Sequence, residues 1–234
     1  MTTFVLVHGA WGGAHGFHLV RPRLQAAGHS VFTPSLTGIG ERSHLTGPLV
    51  NLTTHIHDVV NHVLYEDHRD IVLLGFSYGG MVVTGALAHI ADRVRHLVYL
   101  DAFVPADGDS VASLIGQGSG IAPIELGGVW QLPPMDRDFD DPAEGDWVRA
   151  RRTPQPAACF REPVRLAQPL ESFPFTRTYV KALDDPRQPN GSPFWNAGDH
   201  AKASDAWTYH EVDTNHMIPN NRPGPLTEIL LALV

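Results

Sequence analysis

A single cysteine, Cys159, stands in 234 residues, so no internal disulfide can form and no oxidising compartment is implied. A free cysteine is commonly a small buried apolar group, and Cys159 is read that way rather than as a nucleophile. Charge is sparse as well: Asp, Glu, Lys and Arg make up 18% of the chain and leave a net charge of −8. There is no run of Lys and Arg. A nucleic-acid groove or an anionic membrane surface needs a concentrated positive field, so neither partner is expected. Long apolar runs are missing too, and nothing approaches the ~20 residues of a membrane span. The opening residues, Met1-Thr2-Thr3-Phe4-Val5-Leu6-Val7-His8, have no basic region and no small-residue cleavage site, and read as a strand rather than a signal peptide. A soluble cytoplasmic protein is the resulting expectation.

What is present is enough apolar material for a sizeable core, 43% of the chain, in a length that suits one α/β domain over 1–234. Short apolar runs at Phe4–Val7, Val31–Pro34, Ile71–Leu74 and Leu97–Leu100 alternate with helical spacing at Gly16–Ala27, Leu52–Tyr65 and Tyr78–Ile90. Continuous apolar strands separated by helices predict a mostly parallel sheet with helices on both faces. From about 104 to 175 the period is lost and Pro and Gly accumulate. Trp130, Phe139, Trp147 and Phe160 in this stretch argue against a disordered linker. It reads as an insertion folded over the sheet, helical near Glu144–Arg151. Strands at Thr176–Ala182 and Trp207–Val212 and a helix at Leu226–Val234 complete the pattern.

Three local patterns carry chemistry. Gly75-Phe76-Ser77-Tyr78-Gly79 lies between an apolar strand and a helix. A serine nucleophile on a sharp strand-turn-helix elbow needs that setting, and flanking glycines relieve clashes in the turn. The bare spacing also fits an ordinary glycine-rich turn. His8-Gly9-Ala10-Trp11-Gly12-Gly13 follows the first strand and allows close backbone approach. It has neither a dinucleotide-binding glycine spacing nor a P-loop lysine. Acyl transfer needs two N–H donors for an oxyanion. Tyr78, directly after the serine, and Ala10 in this loop are the candidates.

The third pattern is His216, in Asp213-Thr214-Asn215-His216-Met217, after the last strand. Serine needs a neighbouring imidazole to take its proton. His55-Ile56-His57-Asp58 looks metal-binding at a glance, but residues two apart on a helix face different ways. No metal or cofactor is implied. The acid that orients His216 is sought at Asp184-Asp185, after the strand Thr176–Ala182, with Asp101, at the end of an earlier strand, as the alternative. Trp11, Trp130 and Met217 are the expected substrate-binding residues.

On Phe4–Trp11, Gly75–Gly80, Tyr179–Asp185 and His216-Met217, the chain resembles the α/β-hydrolase superfamily, and more closely the branch of plant methylesterases, hydroxynitrile lyases and related small bacterial esterases. The resemblance implies an α/β-hydrolase fold, a compact lid, Asp185 over Asp184 as the acid, and Ala10 and Tyr78 as oxyanion donors. Two positions depart from the lyases: Gly9 stands where they resemble threonine, and Met217 stands where they carry lysine. The expectation is a serine esterase acting on small to medium apolar esters. A lyase or other C–C-cleaving enzyme and a ligand receptor on the same fold are the alternatives.

Overall fold

The computed structural model describes residues 1–116, 128–187 and 192–234. Six parallel strands form one sheet: β1 (Thr3–Val7), β2 (Ser30–Phe32), β3 (Ile71–Phe76), β4 (Val94–Leu100), β7 (Thr176–Ala182) and β8 (Thr208–Val212), in the order β2-β1-β3-β4-β7-β8. The remaining strands, β5 (Gln131–Leu132) and β6 (Gln155–Pro156), form a separate antiparallel pair inside the insertion. Helices α1 (Arg21–Ala26), α2 (Leu52–Tyr65), α3 (Gly79–Ile90), α4 (Val111–Gly116), α5 (Pro142–Arg149), α6 (Ala158–Arg161), α7 (Pro193–Ala203), α8 (Ile218–Asn221) and α9 (Pro223–Leu231), with four short 3-10 turns, account for the rest of the regular structure among the described residues.

Strand side chains alternate between faces, and this splits the core in two. Val5, Val7, Leu73, Tyr99 and Tyr179 pack with α2 and α3. Phe4, Leu6, Leu74, Leu100 and Val180 pack with α1 and α9 on the other side. Both faces are apolar, which is why these strands read as continuous hydrophobic runs. α2 opens with a reciprocal cap, in which Asn51 accepts from the Thr54 N–H at 2.9 Å and the Thr54 hydroxyl accepts from the Asn51 N–H.

The helical spacing at Gly16–Ala27 is not one helix. A 3-10 turn at Ala14–Phe17 and the shorter α1 replace it, because Pro22 lacks an N–H and fits only the first turn of a helix. α7 lies in a stretch where the sequence shows no clear period.

Among the described residues no helix is long and apolar enough to cross a membrane. The sheet's consequence for chemistry is directional. Ser77, Asp101, Asp185 and His216 all follow the carboxyl ends of parallel strands, where open α/β sheets gather their ligand sites.

Candidate active site

Ser77 leaves β3 with φ +56, in the left-handed region where L-residues are strained. The turn is held from several sides. The Ser77 N–H donates to the Leu100 carbonyl at 3.2 Å, and its own carbonyl accepts from Gly80 and Phe103 N–H groups. Close packing dictates the glycines. A Cβ on Gly79 would lie 2.6 Å from the Val7 carbonyl oxygen, and one on Gly9 would lie 2.9 Å from the Ser77 Cβ. The loop after β1 is therefore pressed directly against the elbow.

That loop is pinned by His8. The Leu36 N–H donates to its Nε2 at 3.1 Å, so Nδ1 carries the proton and donates to the Gly9 carbonyl at 2.8 Å. Burial pushes the His8 imidazole down to about 4, against the smaller opposing effect of that carbonyl, and the ring stays neutral at ordinary pH. Trp11, at φ +61, ties the same loop to the insertion. Its N–H donates to Gln155 at 3.1 Å and its indole to the Leu132 carbonyl at 3.0 Å. The N–H groups of Ala10 and Tyr78 have no acceptor among the described residues.

His216 is buried, with its ring between two aromatic faces: Phe76 at 4.9 Å and Phe194 at 5.0 Å between centroids. Its Nδ1 donates to Asp101 Oδ2 at 2.7 Å, and His216 borders the same two cavities as Ser77. The place expected for Asp185 is thus taken by Asp101. β4 and β7 pair in register to Leu100↔Val180, and the Asp101 N–H continues the ladder to the Val180 carbonyl at 2.7 Å. This sets the Asp101 carboxylate under His216 at φ +38. Burial would raise the Asp101 carboxyl, but the hydrogen bond and charge of His216, together with the charge of Lys181, hold it below its usual value. Asp185 lies further along the β7–α7 connection, half-buried, with its main-chain carbonyl accepting from the Trp195 indole at 2.9 Å. Asp184 is exposed.

One donor atom from each of Asp101, Asp185 and His216 falls within 4.8 Å of the others. The positive charge beside this group is supplied by Lys181, whose Nζ lies 2.7 Å from Asp101 Oδ1. Lys181 escaped the sequence reading, although a lysine inside the strand Thr176–Ala182, which also carries Arg177, is a signal that it needs a buried partner.

Two cavities meet at Ser77 and His216. The larger, of about 230 Å³, is lined mainly by Tyr78, Phe103, Val111, Ile115, Phe160 and Phe194, with Asp185 at its wall. The smaller, of about 50 Å³, is lined by the glycine loop, Phe17, Arg152 and Met217. Trp11 and Arg137 border both. Trp130 borders neither and is 44% exposed. The insertion's aromatic contribution is Phe160 instead, set edge-on to Trp11 at 5.7 Å. Cys159 is buried, and its thiol is pushed up to about 12 chiefly by burial. His55 is buried on α2 between Tyr78 Oη at 3.0 Å and the Thr37 carbonyl at 2.8 Å.

Chemically, a half-buried serine that borders the same cavities as an imidazole held by a carboxylate can attack a carbonyl. Comparison with known proteins is consistent with this chemistry. The sequence profile of the alpha/beta hydrolase family matches residues 4–228. The carbendazim hydrolyzing esterase of Nocardioides sp. strain SG-4G is 37% identical over 246 residues, covering 100% of both chains. Methylesterase 8 of Arabidopsis thaliana is 31% identical over 112 residues, covering 44% of this chain and 38% of its own. Among solved structures, an extracellular alpha/beta-hydrolase from a Paenibacillus species superposes with a TM-score of 0.80 at 24% identity, covering 99% of this chain and 98% of its own.

Proposed function

The chain belongs to the alpha/beta hydrolase family and is an esterase, and from that premise we propose that it cleaves small to medium apolar esters through an acyl-enzyme on Ser77. His216 Nε2 takes the Ser77 proton as Oγ adds to the ester carbonyl. The resulting oxyanion is held by the N–H groups of Ala10 and Tyr78. His216 then passes its proton to the departing alkoxide oxygen, and the alcohol leaves. Water enters, His216 removes its proton, and a second addition and collapse release the acid and restore Ser77. Asp101 fixes the imidazole tautomer and stabilises the imidazolium formed at each addition.

The observation that carries this reading is the 2.7 Å bond from His216 Nδ1 to Asp101, in a cavity shared with a strained Ser77. The apolar walls of the larger cavity favour an uncharged acyl or alkyl group there, with Val111, Ile115 and Phe160 of the insertion acting as its lid; residues 117–127 of the expected lid lie outside the described residues. Carbendazim, named in the activity of the full-length relative, and methyl esters, named in the plant relatives, are the first substrates to try.

A fluorophosphonate probe should label Ser77 in the native protein. Ser77→Ala should abolish labelling and lower ester turnover by several orders of magnitude while leaving the fold intact. Near-normal turnover in a folded Ser77→Ala protein would overturn the proposal.

A further inference from the structure

Asp101 is not a lone carboxylate. Lys181, on β7, has no exposed surface. Its ammonium donates to Asp101 Oδ1 at 2.7 Å and to the Ala182 carbonyl at 2.5 Å, and stands 4.3 Å from the centre of the Trp195 ring. Taken alone, this works against base catalysis. A catalytic imidazole is helped by negative charge on its far side, and a fixed cation beside the carboxylate cancels much of that field.

Asp185 supplies the opposite sign. Its carboxylate reaches within 4.8 Å of both Asp101 and His216. The same Trp195 that faces Lys181 also binds the Asp185 main chain, so one indole fixes the cation and the second anion together. Two carboxylates and one ammonium leave the cluster behind His216 with one net negative charge, which is the charge a single unpaired aspartate would provide.

Resting on the esterase reading above, we propose that Lys181 and Asp185 are paired positioning residues of opposite sign: Lys181 locks Asp101 in place, and Asp185 restores the negative field that Lys181 removes. The other charged and titratable groups facing this cluster are few. Ser77 lies on the elbow, and His8 and Arg137 lie on the cavity walls with His216. Tyr179 Oη is bound to the Ala102 N–H and carbonyl next to Asp101. Arg187 and Asp199 pair with each other at 2.7 Å beyond Trp195, and Glu144 is bound to Asn220 on α8. None of these changes in the variants below, so their influence on His216 is a constant background.

The test is the pH dependence of kcat/KM for a p-nitrophenyl ester, followed at the isosbestic wavelength of the product. Its acidic limb reports the free enzyme's base. An opposite or like charge within ~4–6 Å moves such a group by about a unit or more. Asp185→Asn should therefore move the acidic limb down by about one pH unit, Lys181→Met should move it up by about one, and the double variant should return it near the native position. A purely structural ion pair would change amplitude or stability but would not give shifts of opposite sign that cancel. Asp185 is half-buried, so Asp185→Asn decides the question even if Lys181→Met does not fold. An acidic limb that stays put or rises in Asp185→Asn overturns the proposal. Ser77→Ala separates the two levels: turnover surviving in that variant would defeat the esterase mechanism itself, whereas a dead Ser77→Ala with an unmoved limb in Asp185→Asn would defeat only the charge pairing.

Discussion

Replacing Asp101 by Asn should damage activity and stability for separate reasons, and the two can be pulled apart. The Asn side chain keeps the shape but loses the charge that supports an imidazolium, and its amide can turn an N–H toward His216 Nδ1 and select the wrong tautomer. The expected loss in kcat approaches ~10⁴-fold. The stability loss comes from the other oxygen. Lys181 has no exposed surface, and removing its 2.7 Å partner leaves a buried cation unpaired. Breaking a buried ion pair from one side costs about 3–5 kcal/mol. Asp185, within 4.8 Å of Asp101, offsets part of this and pulls the figure toward the lower end. For a chain of this size that is a drop of roughly 6–20 °C in Tm. The double variant Asp101→Asn/Lys181→Met then makes the decisive comparison. A thioether of similar length removes the orphaned charge, so Tm should recover most of the loss while kcat stays as low as in the single variant. Thermal denaturation by circular dichroism and ester turnover on the same preparations measure both. A single variant within tenfold of native kcat would refute the assignment of the acid. A double variant no more stable than the single would refute the account of Lys181.

Two further outcomes follow from other parts of the site. Phe160→Ala enlarges the larger cavity next to Trp11 and Tyr78, and should shift the ratio of kcat/KM between short and long acyl esters by ~1–3 kcal/mol per methylene-sized change in fit; an unchanged ratio across a chain-length series would show that the insertion does not shape the pocket. The fold should also lose stability on mild acidification, because burial holds His8 and His55 at about 4, below the ~6.5 of an unfolded chain. The unfolded state then binds more protons. Stability is complete above pH ~6.5 and declines as pH falls toward 4, by up to about 1.4 kcal/mol per pH unit for each ring. Urea denaturation at pH 7, 6 and 5 measures this slope, and a slope unchanged in His55→Gln would rule out that ring as a contributor.

The sequence made the strands and the elbow legible because their physical demands are local. A strand buried on both faces must be apolar throughout, as Ile71–Leu74 is, and a serine turn pressed against a neighbouring loop must be flanked by residues without side chains, as Gly75, Gly79 and Gly9 are. Other features depend on what lies across the sheet. Phe160 lines the larger cavity and Trp130 does not, and the two-residue ladder of β5 and β6 between them in the chain leaves almost no periodic trace from which to read this. The broken helix near Pro22 was readable in principle, since proline excludes itself from a helix interior.

The acid shows most clearly where local reasoning stops. The order Ser, Asp, His along the chain is satisfied equally by Asp101 and by Asp185, because both fall between Ser77 and His216 and both follow strands of the same sheet. Order alone therefore cannot choose between them. The choice depends on the register of β4 against β7 and on a residue that belongs to neither pattern. Lys181 sits one residue past Val180, the β7 partner of Leu100, so its side chain emerges beside Asp101 and draws that carboxylate inward. A buried lysine is costly unless paired, so a carboxylate had to lie within its reach. Asp101, fixed at the strand end by the Val180 carbonyl, was the candidate with a rigid backbone. Asp185, three residues beyond β7 in a connection tethered by Trp195, keeps its charge near the imidazole without reaching Nδ1. The single lysine in Thr176–Ala182 was thus the residue in the sequence that bore on which aspartate meets His216, and reading it required asking which carboxylate could neutralise it.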